Sequence, residues 1–279
     1  MSPEVVTIHD VSFERHPEFF DPAECFRLKL TVRRAIKTAR RIITVSEFSK
    51  QEIVHFLGVP EQKVEVIYNG VGPEFQPIGD RDAIKAHLER YPIRRPYLLA
   101  VGNICRRKNH LSMLRGFALW LSRHHGSEHQ LVIAGKPQDY ATEFLAEASR
   151  LGLDNGRLKI LGFVPEEDLP YLYAGAEVLL NTSLYEGFGL PLIEAMRCGV
   201  PVIASRASCF PEIASDAARY VSAQDADEIS DAIQEVLENN TIRNDLIARG
   251  LHRAQCFRWD VAARETLKVY YKVAGVAGD

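Results

Sequence analysis

Residues 177–205 read EVLLNTSLYEGFGLPLIEAMRCGVPVIAS, and this stretch decides the fold. EVLLN (177–181) and PVIAS (201–205) are short apolar runs of the kind buried on both faces of a parallel sheet. Between them, Gly187 and Gly189 are poor helix residues, whereas Pro191 suits a first helical turn. The spacing predicts a helix that starts near Leu190 and runs through IEAMRC. Gly199 then caps its end and Pro201 opens the next strand. The glycine loop therefore follows a strand and lies at the carboxyl edge of the sheet, where open α/β sheets bind ligands.

The same alternation extends on both sides. YLLAVG (97–102), QLVIAG (130–135), LKILGF (158–163) and RYVS (219–222) read as further buried strands, separated by helical patterns such as HLSMLRGFALWLSRH and YATEFLAEASRLG. Residues 97–258 thus read as one complete, doubly wound, Rossmann-like domain. Upstream, VVTI (5–8), RIITV (41–45) and KVEVIY (63–68) read as three strands, with helices near 22–38 and 47–56, the second capped by Ser46. Three strands make about half of a second Rossmann-like domain over 1–75. Residues 76–96, rich in Pro, Gly and charge, read as a linker with one short helix. Helical segments near 225–238, 240–255 and 259–273 close the chain.

The chain has 279 residues, 46% of them hydrophobic and 25% charged, with a net charge of -3. That balance suits a globular α/β protein and argues against a general binder of nucleic acid or of anionic membranes. Basic residues cluster locally at Arg33–Arg34, Arg40–Arg41 and Arg106–Arg107–Lys108. The five cysteines are scattered with no Cys-x-x-Cys spacing, so a reduced, cytoplasmic setting is expected. No apolar run is long enough for a membrane span.

The glycine loop carries chemistry. The backbone N–H groups of Gly187–Leu190 precede a helix and lack helical partners, so with the helix dipole they form a site for an anion such as a diphosphate. Glu186 stands before this turn and Glu194 one turn into the helix. Each carboxylate offers two acceptor oxygens to adjacent sugar hydroxyls, although both glutamates would also suit a helix N-terminus without any ligand. VGNICRRKNH follows another strand of the same sheet, so Arg107 and Lys108 reach the same edge as charge-assisted donors to phosphate. No Gly-x-Gly-x-x-Gly follows a predicted strand, which disfavours a nicotinamide-dependent dehydrogenase.

Taken in order, VVTIHDVSFERHPEFF, ARRIITVSEFSK, VEVIYNGVGPEFQP, LLAVGNICRRKN, LVIAG, the stretch from LGFVPEEDLP to PVIAS, and FRWDVAARETLKVYY resemble the retaining GT-B glycosyltransferases of group 1, the family of mannosyltransferases, sucrose synthases and glycogen synthases. The resemblance implies a GT-B fold and transfer of a hexose from a nucleotide diphosphate sugar to a sugar or lipid-linked glycan. It implies that Glu186 holds sugar hydroxyls, that Glu194 binds the ribose, and that Gly187, Phe188, Gly189 and Leu190 contact sugar and diphosphate. Arg107 and Lys108 match the basic pair for the diphosphate, and Asn103 stands where the family often has an arginine. Phe163, Val164 and Glu166 match the loop that reads the base, and His9 matches a histidine that approaches the donor sugar. Retention is expected through front-face attack, with no metal and no cofactor besides the nucleotide sugar.

A carboxylate at Glu166 can accept from N1–H and the exocyclic amine of guanine, which favours a GDP-sugar, such as GDP-mannose, over a UDP-sugar. Relative to the family, the first domain lacks its opening strand and glycine-rich loop. From that we expect an uncovered sheet edge, self-association or a less stable 1–75 region, and a closing helix 259–279 that packs back on it. A non-catalytic nucleotide-sugar-binding subunit that needs a partner is the alternative. Peripheral contact with a membrane stays open.

Overall fold

The computed structural model describes residues 4–138 and 140–276. All its ladders are parallel. The first unit holds β1 (Glu4–Thr7), α1 (Ser12–Arg15), α2 (Pro22–Thr38), β2 (Ala39–Thr44), α3 (Glu47–Leu57) and β3 (Val64–Val66), in a three-stranded sheet of order β1-β2-β3. After α4 (Arg81–Leu88) come β4 (Tyr97–Val101), α5 (His110–Arg123), β5 (Gln130–Ala134), α6 (Ala141–Arg150), β6 (Leu158–Ile160), α7 (Leu169–Gly175) and β7 (Val178–Asn181). The chain continues through α8 (Leu190–Arg197), β8 (Val202–Ser205), α9 (Phe210–Ala214), β9 (Arg219–Val221), α10 (Ala226–Glu238), α11 (Asn240–Ala254) and α12 (Trp259–Ala274).

The second sheet has the order β6-β5-β4-β7-β8-β9. Its strand order reverses between β4 and β7, which are direct neighbours through Leu98–Val178 and Leu99–Leu179. Loops leaving the carboxyl ends of two such strands diverge to opposite faces and open a crevice between them. The loops that leave here are Gly102–Asn109 and Thr182–Gly189, the two stretches singled out from the sequence. Apolar clusters cover both faces of the sheet, one built on Leu99, Val132, Leu179 and Val202, the other on Leu98, Leu131, Leu180 and Ile203. That alternation along each strand is the two-residue period of a fully buried sheet.

Residues 76–96 are more than a tether. Ile84 and Leu88 of α4 are buried in the larger unit's core with Tyr97 and Leu172. Arg90 and Tyr91, just after α4, both donate to the buried Asp168 at the start of α7. α12 returns to the first unit, where Ala262 and Val269 pack with Ile43, Ile67 and Val5. β1 has β2 as its one strand neighbour among the described residues.

The two units meet at a polar seam over the glycine loop. The Ser46 hydroxyl accepts from Ser49 N at 3.0 Å, capping α3, and donates to the Gly187 carbonyl at 2.7 Å. Ser49 donates to the same carbonyl at 3.2 Å. The Glu212 carboxylate, from α9, accepts from Glu47 N at 2.7 Å and Phe48 N at 2.9 Å, so one unit caps a helix of the other. Burial, together with the neighbouring Glu212, pushes the Tyr68 phenol up to about 12. Glu212→Ala strips both amides of their acceptor and should lower unfolding stability by about 1–2 kcal/mol, the scale of a lost helix cap. An unchanged urea midpoint would show that the seam does without it.

Candidate active site

At the centre of the crevice lies Glu186, 8% exposed. Its Oε2 meets Arg107 Nη1 at 2.6 Å and its Oε1 meets Lys108 Nζ at 2.6 Å. Ser183 Oγ also donates to Oε1, at 3.0 Å, and the Glu186 amide donates to Ser208 Oγ at 3.0 Å. Burial alone would raise this carboxyl, but the charges of Lys108 and Arg107 outweigh it and hold it at about 2. For Arg107, burial opposes the charge, and the carboxylates of Glu186 and Asp10 more than offset that, so it is raised. Arg107 Nη1 also donates to the Tyr185 carbonyl at 2.8 Å, and its own carbonyl accepts from Leu184 N at 2.8 Å. The two loops are therefore stitched together by backbone as well as charge.

That depressed carboxyl has a pH consequence. Unfolded, Glu186 titrates near about 4.3, so its stabilising contribution is fully present above that pH. It is lost as pH falls from there towards the folded value of about 2. Glu186→Gln should flatten this part of the acid limb of a melting-temperature profile. A parallel profile for variant and wild type would remove the group from the acid response.

The glycine turn is held open. Gly189, with φ 93°, precedes α8 and makes no side-chain cap, and a Cβ there would lie 2.7 Å from the Phe210 ring. Among the described residues, the amides of Gly187, Phe188, Gly189 and Leu190 donate to no protein acceptor. Gly187 carries a second constraint. A Cβ on it would sit 2.6 Å from the His9 carbonyl oxygen and 2.9 Å from Asp10 Cβ. So the segment after β1 closes against the loop, and His9 joins the site through its backbone, while its side chain is exposed.

Glu194, on α8, accepts from the Tyr173 hydroxyl through Oε2 at 2.6 Å. Burial raises its carboxyl, and the nearby charge of Glu166 adds to the rise. Glu166 is exposed in the turn Glu166–Asp168 ahead of α7. Phe163 is 71% exposed, with Lys136 Nζ 5.4 Å from its ring centre, and Val164 beside it is buried. Phe163 and Glu166 are thus exposed together after β6, and the Glu194 carboxyl feels the charges of both Glu166 and Lys108. Asn103 accepts from Lys136 N at 3.0 Å and braces its own loop.

Several partners were not legible as such. Ser183, Ser208 and Tyr173 act on Glu186 and Glu194, and Asn109 spans the crevice by donating to the Thr182 carbonyl at 3.2 Å. Asn109 adopts φ 53°, and the Arg-Lys-Asn order before a helix was the available signal. No group of three His, Cys, Asp or Glu side chains comes together as a metal ligand set among the described residues.

Comparison with known proteins assigns the family. The model for "Glycosyl transferases group 1" matches residues 83–253, more than half of the chain. The chain belongs to the group 1 glycosyltransferases. A second model, "Glycosyltransferase Family 4", matches residues 2–75, the span of the smaller sheet. The O-antigen chain mannosyltransferase B of Escherichia coli is 32% identical over 267 residues, covering 95% of this chain and 69% of that protein. The O-antigen chain mannosyltransferase RfbU of Salmonella typhimurium is 29% identical, covering 84% of this chain and 60% of its own length. Among solved structures, the sucrose-phosphate synthase of Thermosynechococcus elongatus superposes with a TM-score of 0.80 at 24% identity, over 97% of this chain and 68% of that one. HepE of Anabaena, in complex with UDP and glucose, gives 0.81 at 22% identity, over 96% and 71%. The fold is thus GT-B, and this group 1 chain is an enzyme of nucleotide-sugar glycosyl transfer. No helix among its described residues is long and apolar enough to cross a membrane.

Proposed function

We propose that the chain transfers a mannosyl residue from a GDP-sugar to a growing polysaccharide, with retention at the anomeric carbon and without a metal. The observation that carries this reading is the pairing of four undonated amides, Gly187 to Leu190, with Arg107 and Lys108 across one crevice. Amides and cations converge where a departing diphosphate gathers charge, and fixed donors in a buried site stabilise such charge strongly. The C1–O bond to the diphosphate breaks, the acceptor oxygen bonds to C1 on the same face, and the leaving phosphate takes the acceptor proton. Glu186 binds hydroxyls of the sugar and aligns the two cations. Glu194 keeps Oε1 for the ribose, since Tyr173 occupies Oε2. Phe163 and Glu166 meet the base, and His9 borders the sugar.

Mannose is favoured because the E. coli and Salmonella relatives are named O-antigen mannosyltransferases. GDP is favoured by the acceptor oxygens of Glu166, which match two adjacent donors of guanine. A UDP-sugar is the second reading, because the Anabaena neighbour is described with UDP and glucose. Thermal shifts separate the two. GDP should raise the melting temperature, and stabilisation by UDP alone would overturn the guanine assignment.

A further inference from the structure

We propose that Tyr185 is a positioning residue for Glu186, tied to the smaller unit by a hydrogen bond to Glu52 that forms when the diphosphate site fills. The inference rests on the reading of that site given above. Tyr185 belongs to the loop after β7 of the larger unit, yet its ring is seated in the smaller one. It meets the Phe48 ring edge-on at 5.4 Å and the His16 ring at 5.7 Å, and it is 2% exposed. Edge-to-face contacts of this kind hold a ring in a preferred orientation. The main chain is held from the other side, because the Tyr185 carbonyl accepts from Arg107 at 2.8 Å. Glu186 is the next residue, so any shift of the Tyr185 seat passes to its backbone.

Two buried polar groups at this seat stand unmatched. Tyr185 Oη and Glu52 Oε2 are closed off from solvent and make no hydrogen bond among the described residues. One is a donor and the other an acceptor, and they come from opposite units. Burial pushes the phenol up and the charges of Asp10 and Glu52 add to the rise, so the O–H keeps its proton. Asp10 is already engaged, its Oδ1 accepting from Ser12 N at 2.9 Å and from Ser12 Oγ at 2.6 Å. Glu52 spends Oε1 on Arg15 at 3.1 Å and keeps Oε2.

The geometry of α3 brings the pair to one place. Glu52 lies one turn beyond Phe48, so both share the helix face that meets Tyr185. Ser49, on the same helix, donates to the Gly187 carbonyl at 3.2 Å. One stretch of α3 therefore confronts Tyr185 to Gly187, the residues on either side of Glu186. A diphosphate drawn onto the amides of the glycine turn moves this loop against α3. Leaving a buried donor and acceptor apart costs stability, and their union in the filled state recovers it. A bond made only in that state adds to the affinity for nucleotide.

Melting and calorimetry together test this. Without nucleotide, Tyr185→Phe should melt at or above the wild-type temperature, because it deletes an unmatched hydroxyl and keeps the ring. In titrations with GDP and with UDP, the nucleotide that binds wild type should bind Tyr185→Phe about tenfold more weakly, the scale of a lost bond to a charged acceptor. Glu52→Met should weaken it as much, and the double variant no further, since either change removes the same bond. A lower melting temperature for nucleotide-free Tyr185→Phe would mean that the hydroxyl is already paired, and would overturn the proposal. So would wild-type affinity in the variants, or losses that add in the double one. Wild type that binds neither nucleotide would fail the diphosphate reading itself, and this inference with it.

Discussion

Glu186→Gln should reduce sugar transfer by about a hundredfold or more while nucleoside diphosphate binding survives. The two effects separate because the carboxylate and the amides are different parts of one crevice. Both Glu186 oxygens are engaged, Oε2 by Arg107 and Oε1 by Lys108 and Ser183. Glutamine keeps the shape but loses the charge. Arg107 and Lys108 then stand without their counterion, and breaking a buried pair commonly costs about 3–5 kcal/mol. A bound diphosphate would restore the missing charge. The variant should therefore gain more thermal stability from the nucleotide than wild type does, although it turns over far more slowly. Wild-type rates in the variant would remove Glu186 from the chemistry. Loss of diphosphate binding in step with turnover would make it a simple structural brace.

Gly187→Ala should be nearly as damaging, by a steric route. The new Cβ would lie 2.6 Å from the His9 carbonyl oxygen, and that neighbour is backbone rather than a side chain that can swing away. The loop cannot retreat easily either, since the Gly187 carbonyl accepts from both Ser46 and Ser49. Overpacking of this kind costs about 1–3 kcal/mol. A displacement near 1 Å in the amides would cut turnover by about a hundredfold. Gly79→Ala is the control: no heavy atom lies within 4 Å of its Cβ, so turnover should hold. Wild-type kinetics in Gly187→Ala would show that the two units need not close here.

The elements that fix the fold were legible because their signals are local. EVLLN, PVIAS and YLLAVG become β7, β8 and β4 within a residue or two, and Leu190 begins α8. Short elements escaped notice. α9 has 5 residues, too few to show helical periodicity. Ser46 was read as a cap, and it is one, but its second bond crosses to a carbonyl 141 positions away. Nothing near Ser46 encodes that distance. Likewise, spacing put Glu186 and the Arg107–Lys108 pair on one edge of the sheet. Their direct ion pairing follows from burial, where the nearest opposite charge is the cheapest partner.

Isothermal titration calorimetry of GDP, and then UDP, into the wild-type chain and Lys108→Ala tests the central claim most directly. Lys108 Nζ, 2.6 Å from Glu186, is the cation nearest the carboxylate without a backbone bond of its own, so its loss leaves the loop connections through Arg107 in place. The account predicts that one of the nucleotides binds wild type and that Lys108→Ala weakens it at least about tenfold, as befits a charge-assisted contact to phosphate. No heat of binding from either nucleotide, or equal affinity in the variant, would contradict the assignment of this crevice as the diphosphate site.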